Sequence, residues 1–172
     1  MAARNLAILH IAIYDAVNAV RVTHRPYLRE VIAAQPASPE AAATAAAHRV
    51  LVNLYPSERA AFASALDASL SRLTNNAAKT NGLTLGVAVA DAMLKLRAAD
   101  GASMTVPYIP SDAPGAWRRT LPIDRPQELP QWRYVKPFAL TNAAQFRPPG
   151  PPPLRGTNYA FDFNQEIGRA HV

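Results

Sequence analysis

Cysteine is absent from this sequence of 172 residues, and glycine is scarce, with only seven residues. Without cysteine the chain can form no disulfide, no thiolate metal site and no cysteine nucleophile, although this absence does not fix the compartment. The glycines are dispersed, so the sequence contains no glycine-rich phosphate-binding loop. No apolar run is long enough to cross a bilayer, and we therefore expect no membrane span.

The charge of the chain is moderately basic. Its 18 Lys and Arg residues against 12 Asp and Glu residues give a formal charge of +6. Such a balance occurs in proteins that bind nucleic acid or acidic lipid, but here the basic residues are scattered and form no dense run. This pattern favours a solvated surface, so we predict no nucleic-acid partner. A nucleic-acid binder is the alternative, which a steep fall of DNA affinity with salt would support.

The histidines and carboxylates do not form a catalytic or metal-binding pattern. Neither His-x-x-x-His nor Glu-x-x-His occurs in the sequence. His10 and Asp15 lie on one predicted helix, but their spacing puts them on different faces, and no nucleophile accompanies them. We interpret His10 as a structural histidine, place His24 in a loop and find His48 alone among alanines. The sequence therefore assigns no catalytic, cofactor-binding or metal-binding residue.

The first hundred residues are rich in alanine, and their apolar residues recur at helical spacing. This periodicity predicts helices near residues 3–21, 39–55, 57–73 and 82–99. Ser38 and Ser57 are expected to cap the second and third helices, and Pro39 suits a first helical position because it needs no hydrogen-bond donor there. Short connections favour antiparallel neighbours, so we predict an all-α helical bundle over residues 1–100.

Three of the predicted helices carry an apolar stripe that we expect to face the core. These stripes consist of Leu6, Leu9, Ile13, Ala16, Val17 and Val20 in the first helix, Phe62, Leu66, Leu70 and Leu73 in the third, and Leu83, Val87, Ala90 and Leu94 in the fourth. Asp91 and Lys95 stand four residues apart, so we expect them to pair on the surface of the fourth helix.

Residues 101–156, which we call the strap, differ in character from the bundle. They contain twelve of the 16 prolines and both tryptophans. A flexible linker would be poor in aromatic residues. We therefore predict a proline-stiffened segment that docks through Trp117, Trp132, Phe138 and Phe146 onto helices, including helices outside this chain. The run RPPGPPP also fits a polyproline ligand for an SH3-type module. A helical interaction protein with a proline-rich binding strap is therefore an alternative function.

Several stretches, taken in order, resemble one protein family. They are ARNLAILHIAIYDAVNAV, ASPEAAATAAAHRVLVNLYPSERAAF, GVAVADAMLKLRAADG, PGAWRRTLP, PQWRYVKPFAL, QFRPPGPPPL and NYAFDFNQE. Together they resemble the N-terminal half of bacterial vanadium-dependent haloperoxidases, within the type 2 phosphatidic acid phosphatase superfamily. The resemblance runs from Ala3 to about Glu166, and QWRYVKPFAL followed by QFRPPGPPP is its most specific part.

The resemblance implies a haloperoxidase-like all-α fold and an oxidoreductase parent that oxidises halide with hydrogen peroxide, using vanadate as cofactor. The family site uses three later motifs, Lys-x6-Arg-Pro, Pro-Ser-Gly-His and Ser-Arg-x5-His, whose cations neutralise the oxyanion and whose histidines bond its central atom and transfer protons. None of them occurs here, since ten residues separate Lys136 from Arg147 instead of six. The resemblance thus predicts a non-catalytic part of such an enzyme. A phosphatase of the same superfamily is an alternative, because one site can hold vanadate or phosphate.

The end of the sequence does not read as a natural helix terminus. Residues 157–166 begin a helix that Thr157 or Asn158 can cap, and IGRAHV then follows. The DNA sequence ATC-GGA-AGA-GCA-CAC-GTC encodes these six residues, and it matches the common adapter of short-read sequencing libraries. We expect residues 167–172 to be translated adapter, and the missing catalytic half to be the main partner of this chain. A homo-oligomer is left open. The parent is expected to be bacterial, with its localisation open and an extracytoplasmic one included.

Overall fold

All regular structure in the described residues is helical. The computed structural model describes residues 2–28, 33, 35–114, 116–119 and 121–170, and these contain no β-strand. The predicted all-α class is therefore confirmed. The five helices are α1 (Ala2–Arg21), α2 (Pro39–Leu54), α3 (Arg59–Leu70), α4 (Ala77–Arg97) and α5 (Thr157–Ala170), and short 3₁₀ turns cover Pro56–Glu58 and Pro130–Tyr134.

The chain divides into two compact units, Met1–Ser103 and Met104–Val172. In the first unit α2 is the central helix, because it contacts α1, α3 and α4. α1 also contacts α4, whereas α3 packs against α2 and the turn before it, within the described residues. The assignment of residues 101–156 to a docking strap, and of the last residues to a truncated helix and an adapter, stays a prediction.

The start of α2 follows the predicted cap. The Ser38 hydroxyl accepts a hydrogen bond from the amide of Ala41 at 3.1 Å, and Pro39 occupies the first turn. The Glu40 carboxylate accepts hydrogen bonds from its own amide and from the Ser38 hydroxyl, which lower the pKa of Glu40 below its usual value. The Ser38–Pro39 pair therefore predicted the start of α2 correctly.

Two other helix starts differ from the prediction. No side-chain cap precedes α3, because Ser57 lies inside the 3₁₀ turn and donates to Glu58. α4 begins at Ala77 rather than at residue 82, since the side chain of Asn76 accepts the amide of Lys79 at 2.9 Å. The Lys79 ammonium also donates to the carbonyl of Leu70 and so closes the end of α3.

The buried faces of α1 and α4 are not the predicted stripes. The residues that these two helices bury are Ile8, Ala12, Asp15, Ala16, Asn18 and Ala19 in α1, and Gly82, Gly86, Val89, Ala90, Met93 and Arg97 in α4. Of the predicted stripes, only Ala16 and Ala90 are buried, while Leu6 is 53% exposed and Val87 is 39% exposed. The core is therefore narrow and built mainly from alanine and glycine.

Small residues are buried because the helices approach each other closely. A Cβ atom on Gly82 would lie 2.5 Å from the carbonyl oxygen of Ser38, and one on Gly86 would collide with the carbonyl oxygen of Ala42. Both obstacles are backbone atoms of α2 or its cap, which cannot swing away as a side chain can. The contact between α2 and α4 consequently excludes any side chain at these two positions.

The expected pair on the surface of α4 is replaced by a pair between helices. Asp91 accepts a hydrogen bond from Arg49 of α2 at 2.6 Å, and this bond raises the pKa of Arg49. The prediction of a pair between Asp91 and Lys95 was wrong, because α2 packs close enough to α4 to offer a better-placed cation. Both members of the observed pair are about half exposed.

The described residues of the second unit between Met104 and Gly156 are irregular, apart from the turn at Pro130–Tyr134. Its large aromatic side chains are exposed to a considerable degree, with Trp117 at 40%, Trp132 at 37% and Phe146 at 76%. α5 begins at Thr157, so Thr157 lies inside the helix and Gly156 occupies the position before it. Among the described helices, none combines the length and apolar character that a bilayer crossing requires.

A buried ionic cluster and two pockets as candidate functional sites

The most polar part of the first unit's core is a cluster of two arginines and one aspartate. Asp100 is 4% exposed, accepts a hydrogen bond from the Nε of Arg4 at 2.7 Å and forms an ion pair with a terminal nitrogen of Arg97 at 2.7 Å. The Asp100 carboxylate also accepts the amide of Ala102, and Arg4 donates to the carbonyl of Arg97. The cluster therefore ties α1 to the end of α4.

Neighbouring groups set the pKa of Asp100. Burial by itself raises this pKa, but hydrogen bonds from Arg4 and from the amide of Ala102, with the charges of Arg4 and Arg97, outweigh it. The pKa of Asp100 therefore lies below its usual value. The carboxylate is the form that the folded unit stabilises.

We predict that the free energy of unfolding falls on acidification because of Asp100. Since its pKa is lower in the folded than in the unfolded chain, the unfolded chain takes up the proton first. The stabilisation is complete above the ordinary carboxyl pKa of about 3.9 and is lost as the pH falls through the lower pKa of the folded chain. Urea unfolding at a series of pH values should show a steeper acid limb for the native chain than for Asp100→Asn. Parallel limbs would contradict this linkage.

The cluster does not fit an oxyanion such as vanadate. A multiply charged oxyanion needs several cations and donors converging on one position, with a histidine beside its central atom. Here Arg4 and Arg97 converge on Asp100, whose carboxylate already takes the place of an anion. The groups that hold Asp100 in the described part of the chain are Arg4, Arg97 and the amide of Ala102, and none of these is a histidine. No step of vanadate chemistry follows from these residues.

The histidines that the sequence singled out lie apart from this cluster. His10 is exposed on α1, while His24 lies in a loop as predicted. Asp15 is buried and accepts the amides of Tyr27 and Leu28, both at 2.8 Å, to hold the loop after α1. Asp15 therefore has a structural role, and the structure does not bring it together with His10.

An apolar groove of about 280 Å³ lies between α1, α2 and α3 in the first unit. Ile13, Leu51, Phe62 and Leu66 line it, and the Nε2 atom of His48 is shielded there without a hydrogen-bond partner within the described part of the chain. The described residues of its lining include no carboxylate and no lysine or arginine. The groove can accept an apolar side chain. Its lining also includes the hydroxyls of Thr44 and Ser69, but these donate to the backbone carbonyls of Glu40 and Ala65, so neither is paired with His48 as a nucleophile with its base.

The second unit carries a pocket of about 330 Å³ whose walls are aromatic rings and prolines. The rings of Tyr108 and Trp117 meet edge to face with their centroids 5.5 Å apart, and Pro130 contributes another wall. Glu128 and Arg133 supply charges at the same pocket, and the Arg133 guanidinium lies 4.6 Å from the centroid of the Tyr134 ring and donates to its hydroxyl. This chemistry suits a ligand with a stiff apolar ridge and a positive charge.

The remaining sequence candidates do not form a site. Lys136 and Arg147 are both exposed on the second unit, and neither lines this aromatic pocket. Sequence reasoning missed the ionic cluster because Arg4 and Asp100 are 96 residues apart. The spacing of Arg97 and Asp100 at the end of α4 could have indicated the ionic cluster. The density of aromatic residues before Tyr134 could have indicated the aromatic pocket.

Across the described residues, no three His, Asp or Glu side chains are grouped so that they could hold a metal ion. Comparison of the chain with family models, with curated proteins and with solved structures gives no significant match.

Proposed function

We propose that this chain is the N-terminal helical part of a bacterial haloperoxidase-like enzyme and provides scaffold rather than catalytic residues. The parent would oxidise halide with hydrogen peroxide on vanadate held by residues outside this sequence. The resemblance of the ordered sequence blocks, with QWRYVKPFAL and QFRPPGPPP as the most specific, supports the proposal.

The observation that carries the proposal is the position of the large apolar side chains. The core between α1, α2 and α4 is filled by small residues, while Leu6, Val87 and Leu96 are each about two-fifths exposed or more. Periodic leucine and valine on the outer faces of packed helices indicate surfaces that further helices cover. The apolar groove at Phe62 adds a recess of the same character on the other side of α2. These features favour a bundle that is one layer of a larger helical body.

The distribution of charge also supports a scaffold role for this chain, with the oxyanion site formed by residues outside it. The buried cations of the first unit are held by Asp100, and the remaining basic residues of the described chain are scattered over exposed positions, apart from the half-buried Lys79, which bonds the carbonyl of Leu70. An oxyanion site has to bring several cations together at one point. In this proposal the missing residues supply that convergence and the present ones supply a rigid support.

We expect the 172-residue chain to show no tight vanadate site in calorimetry at moderate salt, and no halide oxidation with peroxide and vanadate. Its formal charge of +6 should give only weak attraction that salt removes. Stoichiometric, salt-resistant binding in the micromolar range by the chain alone would overturn the assignment of a scaffold role.

The source DNA provides the sharper test. Reading it beyond the codon of Glu166 should reveal Lys-x6-Arg-Pro, Pro-Ser-Gly-His and Ser-Arg-x5-His in that order. The protein expressed from the extended gene should bind vanadate and brominate a phenolic dye. Hydrolysis of a phosphate ester without bromination would assign the phosphatase alternative instead. An extended gene without these motifs would refute the haloperoxidase-like parent.

A further inference from the structure

The proline run near the end of the strap, residues 147–153, is an exposed stretch without regular secondary structure. Residues 147–153 form no helix or strand, and all of them except the half-buried Pro152 are exposed. A turn precedes the run, where the amide of Arg147 donates to Ala144, and another follows it, where the amide of Gly156 donates to Pro153. Proline fixes its backbone φ near the polyproline II value, so such a run loses little conformational entropy on binding.

The spacing of the prolines matches the period of that conformation. A polyproline II helix has three residues per turn, so residues three apart form one ridge. Pro148 and Pro151 form one such ridge, and Pro149 and Pro152 form the next. Arg147 and Arg155 place a positive charge at either end of the run.

The aromatic pocket of the same unit has the complementary chemistry. Its walls include the perpendicular rings of Tyr108 and Trp117, which offer flat apolar faces to proline rings. Glu128 at the pocket has no ion-pair partner among the described residues, while Arg133 is engaged with Tyr134. A basic proline-rich ligand therefore finds both an aromatic cleft and an available carboxylate. The run does not itself line this pocket in the structure, so its own chain leaves the pocket open.

We propose that the Tyr108–Trp117 pocket binds the segment Arg147–Pro153 of a second copy of this chain, with Glu128 pairing with a flanking arginine. Because each copy carries both the pocket and the segment, two copies can exchange segments reciprocally and close into a dimer. This inference uses only the second unit and is independent of the proposed enzymatic parent. An oxyanion site found elsewhere would leave it unchanged, and its failure would leave that proposal unchanged.

The first experiment titrates a synthetic peptide of residues 145–156 into the full chain carrying Trp132→Phe, so that fluorescence reports on Trp117. Saturable binding is expected, with weakening of at most about five-fold when Glu128→Gln removes one exposed ion pair. Trp117→Ala should weaken binding by about ten-fold or more, as truncation of an aromatic anchor does, with binding then followed by calorimetry. Trp132→Ala is the matched control, because Trp132 has similar exposure but does not line the pocket.

The second experiment measures the mass of the full chain by sedimentation over a wide concentration range. The native chain should rise from 18.5 kDa towards twice that mass, and the variant Pro149→Ala/Pro152→Ala should stay monomeric. No saturable peptide binding, or binding that Trp117→Ala leaves intact, would refute the pocket. A monomeric native chain would refute the second copy as occupant. Peptide binding by the proline variant but not by a native chain that sediments as a monomer would assign the pocket to the chain's own segment and would equally overturn the proposal.

Discussion

Replacing Asp100 by alanine is expected to cost about 3 to 5 kcal/mol of unfolding free energy, the range seen when one partner of a buried ion pair is removed. The variant would leave the guanidinium groups of Arg4 and Arg97 facing each other without the carboxylate that joins them. Two like charges would then lie in a region that excludes water, where their mutual repulsion is poorly screened. A loss of this size is a large share of the total stability of an ordinary domain.

Urea unfolding followed by far-UV circular dichroism measures this effect, and a matched control is present in the same helix. Asp91→Ala breaks the half-exposed pair with Arg49, and it should cost no more than about 1 kcal/mol. A double variant, Asp100→Ala with Arg97→Met, should recover part of the lost stability because it removes the stranded charge as well as its partner. Equal losses for Asp100→Ala and Asp91→Ala would show that the cluster is not buried as described.

Gly86→Ala is expected to destabilise the first unit by about 1 to 3 kcal/mol, the usual range for overpacking. Elsewhere the same change in a helix gains up to about 1 kcal/mol from propensity. The sign is reversed here because the new methyl group would collide with the carbonyl oxygen of Ala42 and approach the Cβ of Ala45 at 2.9 Å. α4 would have to move away from α2, and neighbouring contacts such as those of Val89 would weaken.

Gly168→Ala is the control for helix propensity. A Cβ atom at Gly168 meets nothing within 4 Å, so this substitution in α5 should be neutral or slightly stabilising. Gly82→Ala should behave like Gly86→Ala, since its Cβ would lie 2.5 Å from the Ser38 carbonyl oxygen. Thermal or urea unfolding that shows Gly86→Ala to be as stable as the native chain would disprove the close approach of α2 and α4.

Helix existence could be predicted from the sequence because it depends on neighbours in the chain. Apolar residues at helical spacing located α1 to α4, and the Ser38–Pro39 signal placed the start of α2 correctly. The predicted start of α4, near residue 82, was too late, because Asn76 caps the helix and Lys79 bridges to α3. A cap and a loop use the same residue types.

Composition and periodicity by themselves determined that this is an all-α protein without disulfides and that its chain changes character near residue 100. Only the tertiary structure decided which helix faces are buried. The largest apolar side chains of α1 form the stripe that contains Leu6, but this stripe is not the one that is buried. The buried face contains the small residues Ala12 and Ala16, because helix backbones can approach closely there. The same packing brought Arg4 to Asp100, and folding of the second unit brought Tyr108 to Trp117. Periodicity specifies one helix at a time, whereas these contacts depend on how segments pack, which no local pattern encodes.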